Sequence, residues 1–142
     1  MKTLQRVLED KGKDVYFTLP AASVFEALEE MAKRDVGALI VLEDGKVAGI
    51  FSERDYARKI ILVGKSSRET PVSEIMTTRV IYARPEQTLD ECLALMTDKR
   101  IRHLPIMQEG ELIGVVSIGD LVKGIIAEQR FIIGQLENYV SG

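Results

Sequence analysis

The sequence predicts an α+β fold made of two copies of a β-α-β-β-α unit. One observation is an internal repeat: shifted against itself by 65 residues, positions 20–61 match positions 85–126 at eleven places without a gap. Average composition would give roughly two or three such matches by chance. The other observation is that both copies show the same order of strand, helix, hairpin and helix signals. Each copy holds only about sixty residues, too few to bury its own faces comfortably, so we expect the two to pack together as a pair.

Each copy opens with a short β-rich run and a helix. The runs are Val15–Leu19 and Val80–Ala83, each close to a following proline. The helices begin with capping boxes, in which a hydroxyl accepts a hydrogen bond from a backbone amide that the helix leaves unpaired. These boxes pair Ser23 with Glu26 and Thr88 with Glu91. Apolar residues then recur at i, i+3, i+4 and i+7, which predicts one buried face of an amphipathic helix.

A hairpin and a second helix complete each copy. The predicted strand pairs are Ala38–Leu42 with Val47–Phe51 and His103–Met107 with Leu112–Val116. Gly45 and Gly110 lie in the turns, where a tight hairpin needs a positive φ. The second helices are expected to begin at Ser52 and Ser117.

These signals divide the chain into four parts. They are a first repeat at 3–65, a linker at 66–71, a second repeat at 72–128 and a C-terminal helical tail at 129–142. The linker lies in a polar, turn-rich stretch. The tail has apolar residues at near-helical spacing, so it either continues or follows the last helix.

Composition excludes several classes of protein. Lys plus Arg is 19 and Asp plus Glu is 22, so the net charge is −3, whereas proteins that bind nucleic acid or anionic membranes are usually basic. One cysteine and one histidine supply neither a disulfide framework nor a zinc set. No apolar run is long enough to cross a bilayer, and the start lacks the apolar core of a secretory signal. We therefore expect a cytoplasmic protein with no nucleic-acid or membrane partner.

The strongest chemical signal is a duplicated motif, Gly49–Asp55 and Gly114–Asp120, in which a strand ends in a serine and an aspartate follows three residues later. Such a motif has two interpretations. It is a plain helix cap, or it captures a nucleotide, because an aspartate at a helix start can accept both ribose hydroxyls while the helix amides favour phosphate. The lone histidine has no nucleophile partner, so the sequence predicts no catalysis.

The two copies, each ending in Gly-h-h-Ser-x-x-Asp (h, an apolar residue), resemble a tandem pair of CBS domains, the Bateman module. Val72–Thr77 is similar to the V-x-x-I-M-T that opens such a domain, and Arg102–Pro105 is similar to its basic-Leu-Pro strand entry. The resemblance covers about positions 3 to 128. It implies two repeats packed as a pseudo-twofold pair in a stand-alone protein of the bacterial type.

The resemblance also implies a function. CBS pairs bind adenosine nucleotides in clefts between the copies and act as regulatory sensors, commonly pairing into a disc of four copies. We therefore expect a homodimeric, non-catalytic sensor that binds AMP above all, or NAD, ADP or ATP, needs no metal, and signals to an unknown effector protein. The alternative is a structural dimerisation or interaction module with no physiological ligand, which would not need the paired aspartates.

The family's binding residues map onto this chain by motif position, and the resemblance implies their roles. Ribose is assigned to Asp55 and Asp120, with Ser52 and Ser117 beside them. Adenine contacts are assigned to Val15 and Tyr16 for the Asp120 cleft and to Val80 and Ile81 for the Asp55 cleft. The neighbouring walls are assigned to Val36, Gly37, Ile101 and Arg102, and phosphate contacts to Arg102 and His103. The first copy lacks this basic pair and has Arg54 where the second has Gly119, so whether both clefts bind stays open.

The homodimer is expected to form through apolar helix faces, because large exposed apolar patches usually mark an interface. The residues expected there are Phe25, Tyr56, Ile60, Ile61, Ile125, Ile126 and Phe131.

Overall fold

The structure is a computed structural model that describes residues 2–141. In chain order the elements are α1 (Leu4–Lys11), β1 (Phe17–Thr18), α2 (Val24–Arg34), β2 (Ala38–Glu43), β3 (Lys46–Ser52), α3 (Glu53–Tyr56), a π-helical turn (Ala57–Ile61), α4 (Val72–Ile75), α5 (Leu89–Lys99), β4 (His103–Gln108), β5 (Glu111–Ser117) and α6 (Ile118–Ser141). The mixed helix and strand content, with two repeats, confirms the α+β prediction. No helix within residues 2–141 is both long and apolar enough to cross a membrane.

The chain forms two compact units, and α1 belongs to the later one. The first unit is Val15–Val80, and the second unit joins the residues up to Asp14 with those from Ile81 onward. In the second unit, the backbone amide of Leu4 donates to the carbonyl of Gln87 and that of Leu89 donates to the carbonyl of Lys2. The N-terminal helix is thereby held against the start of α5.

The first unit is built on a three-stranded sheet in the order β1-β2-β3, with β1 parallel and β3 antiparallel to β2. Its helices bury one apolar face against this sheet, as the spacing predicted. The buried cluster is Val24, Ala27, Met31, Leu39, Val41, Phe51, Ile60, Val72 and Ile75. Residues 67–72 lie along the start of α2, where the carbonyls of Ser67 and Thr70 accept from the amides of Phe25 and Val24.

The second unit is built on the antiparallel pair β4-β5. Its buried cluster is Leu4, Val7, Leu8, Ala83, Leu89, Cys92, Met96, Leu104, Ile106, Val116 and Leu121. Three of these residues come from α1, so the N-terminal helix supplies part of the core of the second unit. α6 runs without a break to Ser141, so the predicted tail is a continuation of the last helix.

Local predictions are confirmed at the caps and turns. Ser23 and Thr88 accept hydrogen bonds from the amides of Glu26 and Glu91, at 3.0 and 3.2 Å. Each hairpin turn has two residues with positive φ, and at the glycines Gly45 and Gly110 the angles are 77° and 80°. This is the conformation of the tight turn that matches the twist of paired strands.

Three predictions need correction. The run Val15–Leu19 forms a strand only at Phe17–Thr18, and Val80–Ala83 forms none: a single bridge joins Ala83 to Ile106. The amide of Val80 donates to the carbonyl of Thr78, two residues earlier in the chain, and is therefore not available for pairing with β4. The expectation that Ile60 helps to form an interface between copies is wrong, because its side chain is buried in the core of the first unit.

Candidate ligand site at the two Ser-x-x-Asp caps

Asp120 lies at the start of α6, directly after β5. Its amide donates to the Ser117 hydroxyl at 3.1 Å, and its Oδ2 accepts from the Ser117 amide at 2.8 Å. This reciprocal capping box fixes the carboxylate at the N-terminus of a 24-residue helix, where the helix dipole favours negative charge.

Lys11, the last residue of α1, pairs with this carboxylate. Its Nζ donates to Asp120 Oδ2 at 2.7 Å and to the carbonyl of Val115 at 2.9 Å. Oδ2 therefore accepts two hydrogen bonds, whereas Oδ1 accepts none from residues 2–141. Burial raises the pKa of Asp120, but the bonds from Lys11 and Ser117, together with the Lys11 charge, outweigh burial and lower it overall. The carboxylate is thus ionised at neutral pH and keeps one oxygen available.

His103 and Arg102 lie next to this cap. His103 pairs with Ser117 across the β4–β5 ladder, and the Arg102 carbonyl accepts from the amide of Ile118. Burial lowers the pKa of His103; Asp120 opposes this shift, while Lys11 and Arg102 add to it. The imidazole is therefore uncharged at neutral pH, and the expected basic pair contains one permanent cation, the exposed Arg102.

Asp55 occupies the matching position of the first unit, with a different set of partners. Its Oδ2 accepts from the amide and hydroxyl of Ser52 at 3.0 and 3.1 Å. Its Oδ1 accepts from the Thr77 hydroxyl at 3.1 Å and forms an ion pair with Lys59 Nζ at 2.9 Å. The residue is only 8% exposed, and both of its oxygens are fully used within the unit.

The remaining predicted site residues divide between the two units. Val15, Tyr16, Val36, Gly37, Arg54 and Val80 lie with Asp55 in the first unit, and Ile81 and Ile101 lie with Asp120 in the second. Gly37 adjoins its cap directly, since its carbonyl accepts from the amide of Glu53 at 3.1 Å. Tyr16, Val36, Ile81 and Ile101 pack against the cores of their own units. Their roles toward adenine stay predictions.

Three partners of the aspartates were not predicted. Lys59 lies four residues after Asp55 on the same helical segment, a spacing that could have indicated the ion pair. Thr77 lies in the V-x-x-I-M-T stretch, and that motif by itself does not indicate that its hydroxyl donates to Asp55. No local pattern connects Lys11 to Asp120, which lies 109 residues further along the chain. Within residues 2–141, no three His, Cys, Asp or Glu side chains are grouped so as to hold a metal ion.

Comparison with known proteins places this arrangement in a family. The model of the CBS domain matches the chain twice, at residues 11–62 and 72–127. The chain belongs to the CBS-domain family. It contains two CBS domains in tandem, and their two Ser-x-x-Asp caps are the pair described above.

Two relatives are similar over most of the chain. A CBS-domain protein from Burkholderia ambifaria MC40-6 superposes with a TM-score of 0.87 at 47% identity, covering 90% of this chain and 96% of its own. The CBS domain-containing protein CBSX3, mitochondrial, of Arabidopsis thaliana is 39% identical over 149 residues, 99% of this chain and 72% of its own length.

A more distant structure shares the fold. The CBS domain pair of protein MJ0100 was solved in complex with 5′-methylthioadenosine and S-adenosyl-L-methionine; it superposes with a TM-score of 0.77 at 22% identity and covers 90% of this chain. At this identity the likeness concerns the fold alone.

Proposed function

We propose that this chain is a regulatory module that binds an adenosine nucleotide, AMP above all, and passes its binding state to a partner protein without catalysing a reaction. The observation that carries the proposal is the Asp120 carboxylate, which is held rigid by Ser117, is ionised at neutral pH, and keeps Oδ1 open. A ribose diol offers two hydroxyl donors to such a carboxylate. ADP, ATP and NAD carry an adenosine ribose as well.

The charges around Asp120 support an anionic ligand. The Lys11 ammonium offsets the carboxylate at 2.7 Å, and Arg102 adds a further positive charge on the adjoining strand entry. The charges of Lys11, Asp120 and Arg102 add up to a net positive charge, which would attract a phosphate group bound near Asp120. Because Oδ2 is filled by Ser117 and Lys11, the first ribose hydroxyl is expected on Oδ1, and a second contact on Oδ2 would need Lys11 to move.

A structural interaction module without a ligand is the second candidate, and the Asp55 cap favours it for the first unit. That carboxylate already accepts three hydrogen bonds, from Ser52 and Thr77, and forms an ion pair with Lys59, as a purely structural cap does. We therefore propose that Asp120 is the principal ribose contact and Asp55 a structural cap. The MJ0100 complex supports only the statement that this fold is able to hold adenosine ligands. Homodimer formation and a cytoplasmic location remain part of the proposal.

Titration calorimetry with AMP and adenosine tests the ribose contact. Asp120→Asn leaves the Ser117 cap in place but removes the charge, and we expect both ligands to bind roughly tenfold to a hundredfold more weakly, because hydrogen bonds to charged groups contribute about 1.5–3 kcal/mol. The matched control is Asp55→Asn, which should leave both affinities nearly unchanged. Equal AMP affinity in the wild type and Asp120→Asn would show that the carboxylate is only a cap.

Arg102→Ala tests the phosphate contact separately. We expect roughly tenfold weaker binding of AMP and little change for adenosine, so that the ratio of the two affinities falls. Asp120→Asn should leave that ratio as it is. An unchanged ratio in Arg102→Ala would remove Arg102 from the phosphate site without affecting the ribose assignment.

Mass spectrometry of the natively purified protein distinguishes the two candidate functions. A co-purifying adenosine nucleotide would support the sensor. The structural module would be supported if no nucleotide co-purifies and AMP, ADP, ATP and NAD all fail to bind in calorimetry.

A further inference from the structure

α6 extends well past the second CBS domain. The family match ends at residue 127, whereas the helix continues to Ser141. Large apolar side chains in this extension are exposed by half or more of their area, namely Phe131, Ile132, Ile133, Leu136, Tyr139 and Val140. A helix of this length is only marginally stable in water by itself, and an apolar surface of this size usually marks a contact.

Five of the exposed apolar residues, together with Gln129, form a seam along one side of α6, whereas Phe131 lies on the opposite side. From Val122 onward they alternate at four- and three-residue steps, which is the heptad spacing of two packed helices. The seam residues are Val122, Ile126, Gln129, Ile133, Leu136 and Val140, all of them exposed. An open groove lined by Ile133, Leu136, Glu137 and Val140 lies on the same side.

The flanks of the seam indicate which helix would cover it. Arg130 and Glu137 lie seven residues apart on one flank, and Ile132 and Tyr139 lie seven apart on the other. If an identical helix ran antiparallel, Arg130 would face Glu137 of the second copy, and Ile132 would face its Tyr139. A parallel copy would set the charged flank against the apolar one. The seam is therefore self-complementary in the antiparallel direction only.

We propose that the C-terminal half of α6 is an interaction surface for a second copy of this chain, and that the two helices pair antiparallel about Gly134. In this arrangement Ile133 of each copy packs against Leu136 of the other, flanked by two Arg130–Glu137 ion pairs. The stretch from 128 to 141 contains a single basic residue, so it lacks the cationic face that binds an anionic lipid surface. The proposal does not depend on nucleotide binding.

Sedimentation equilibrium of the full chain measures the association. We expect a wild-type dimer whose dissociation constant rises roughly tenfold to a hundredfold in Leu136→Glu, because the substitution buries a charge in the seam. Gln135→Glu adds the same charge on the adjoining face of the helix and is the matched control, with no expected change. Circular dichroism should show that both variants keep their helix content. A monomeric wild type, or a dimer that Leu136→Glu leaves unchanged, would overturn the proposal.

A charge exchange tests the antiparallel direction. Arg130→Glu alone sets like charges against each other, as does Glu137→Arg alone, and each should weaken the dimer. Mixing the two variants restores opposite charges in both ion pairs, so the mixture should associate more tightly than either variant alone. If mixing does not restore association, the antiparallel pairing is wrong. Binding of the wild-type chain to vesicles of anionic phospholipid through this helix, without dimer formation, would replace the second copy by a membrane.

Discussion

The two Ser-x-x-Asp caps share a backbone but differ in what surrounds the carboxylate. Asp120 forms its capping box with Ser117, pairs with Lys11, and keeps Oδ1 open. Asp55 forms the same box with Ser52, but both of its oxygens are filled. One motif thus yields a carboxylate with an oxygen that accepts no hydrogen bond from residues 2–141, and a carboxylate whose two oxygens both have partners within its own unit.

The origin of the two lysines explains the difference. In the first unit the ammonium comes from Lys59, four residues after Asp55. The matching position in the second unit is Gly124, which has no side chain to supply an ammonium group. The partner of Asp120 comes instead from the N-terminal helix. The repeat therefore determines the cap, whereas the neighbouring elements determine the counter-ion.

The two caps should differ most clearly in how much the free energy of unfolding falls when the aspartate is replaced by alanine. We expect Asp55→Ala to lower the free energy of unfolding by about 3 kcal/mol, because it removes the buried carboxylate of the capping box and leaves the Ser52 amide and the Thr77 hydroxyl without their acceptor. Asp120→Ala should cost only about 1 kcal/mol, since the Asp120 side chain is 22% exposed against 10% for Asp55, so water can replace the carboxylate more easily. Urea denaturation followed by circular dichroism measures both. Equal losses would mean that the two carboxylates are equivalent.

The equivalent glycines of β3 and β5 extend the comparison to packing. An added Cβ at Gly49 would lie 2.7 Å from the backbone carbonyl of Thr77; this carbonyl accepts from the Ile50 amide, and the Thr77 amide donates to the Ile50 carbonyl, so the backbone is held in place. At Gly114 the added Cβ would lie 2.6 Å from Leu8 Cδ2, the end of a side chain that can rotate. We expect Gly49→Ala to cost about 2 kcal/mol and Gly114→Ala about 1 kcal/mol in unfolding free energy. The reverse order would show that α1 holds Leu8 more rigidly than the Thr77 backbone is held.

The smallest expected effect is the change with pH in the stability that the Lys11–Asp120 pair contributes to the folded protein. The pKa of Asp120 is lowered from its ordinary value of 3.8, so the stability from this carboxylate is fully present above that value and is lost as the pH falls through the lower, folded-state pKa. The difference in unfolding free energy between the wild type and Asp120→Asn should therefore be constant near neutral pH, at about 0.5–1 kcal/mol, and shrink in acid. Thermal unfolding over a pH series measures it. A difference that grows in acid would contradict the assigned pairing.

The sequence by itself determined the repeat, the helix caps and the two hairpins. A cap needs one hydroxyl and an amide three residues later, and a tight turn needs a residue that accepts positive φ. Both conditions are met within a few residues, so Ser23, Thr88, Gly45 and Gly110 were predicted correctly. The paired aspartates were found in the same way, because the motif that contains them is local and occurs twice.

Only the tertiary structure decided which groups surround those aspartates. Lys11 reaches Asp120 because α1 joins the second unit, and of the strand predicted at Val80–Ala83 only the bridge from Ala83 to Ile106 forms. These outcomes depend on contacts between residues far apart in the chain, which decide which donor lies within reach of each carboxylate. Local spacing carries no information about that choice, because it arises only when distant elements compete for the same space and the same hydrogen-bond acceptors.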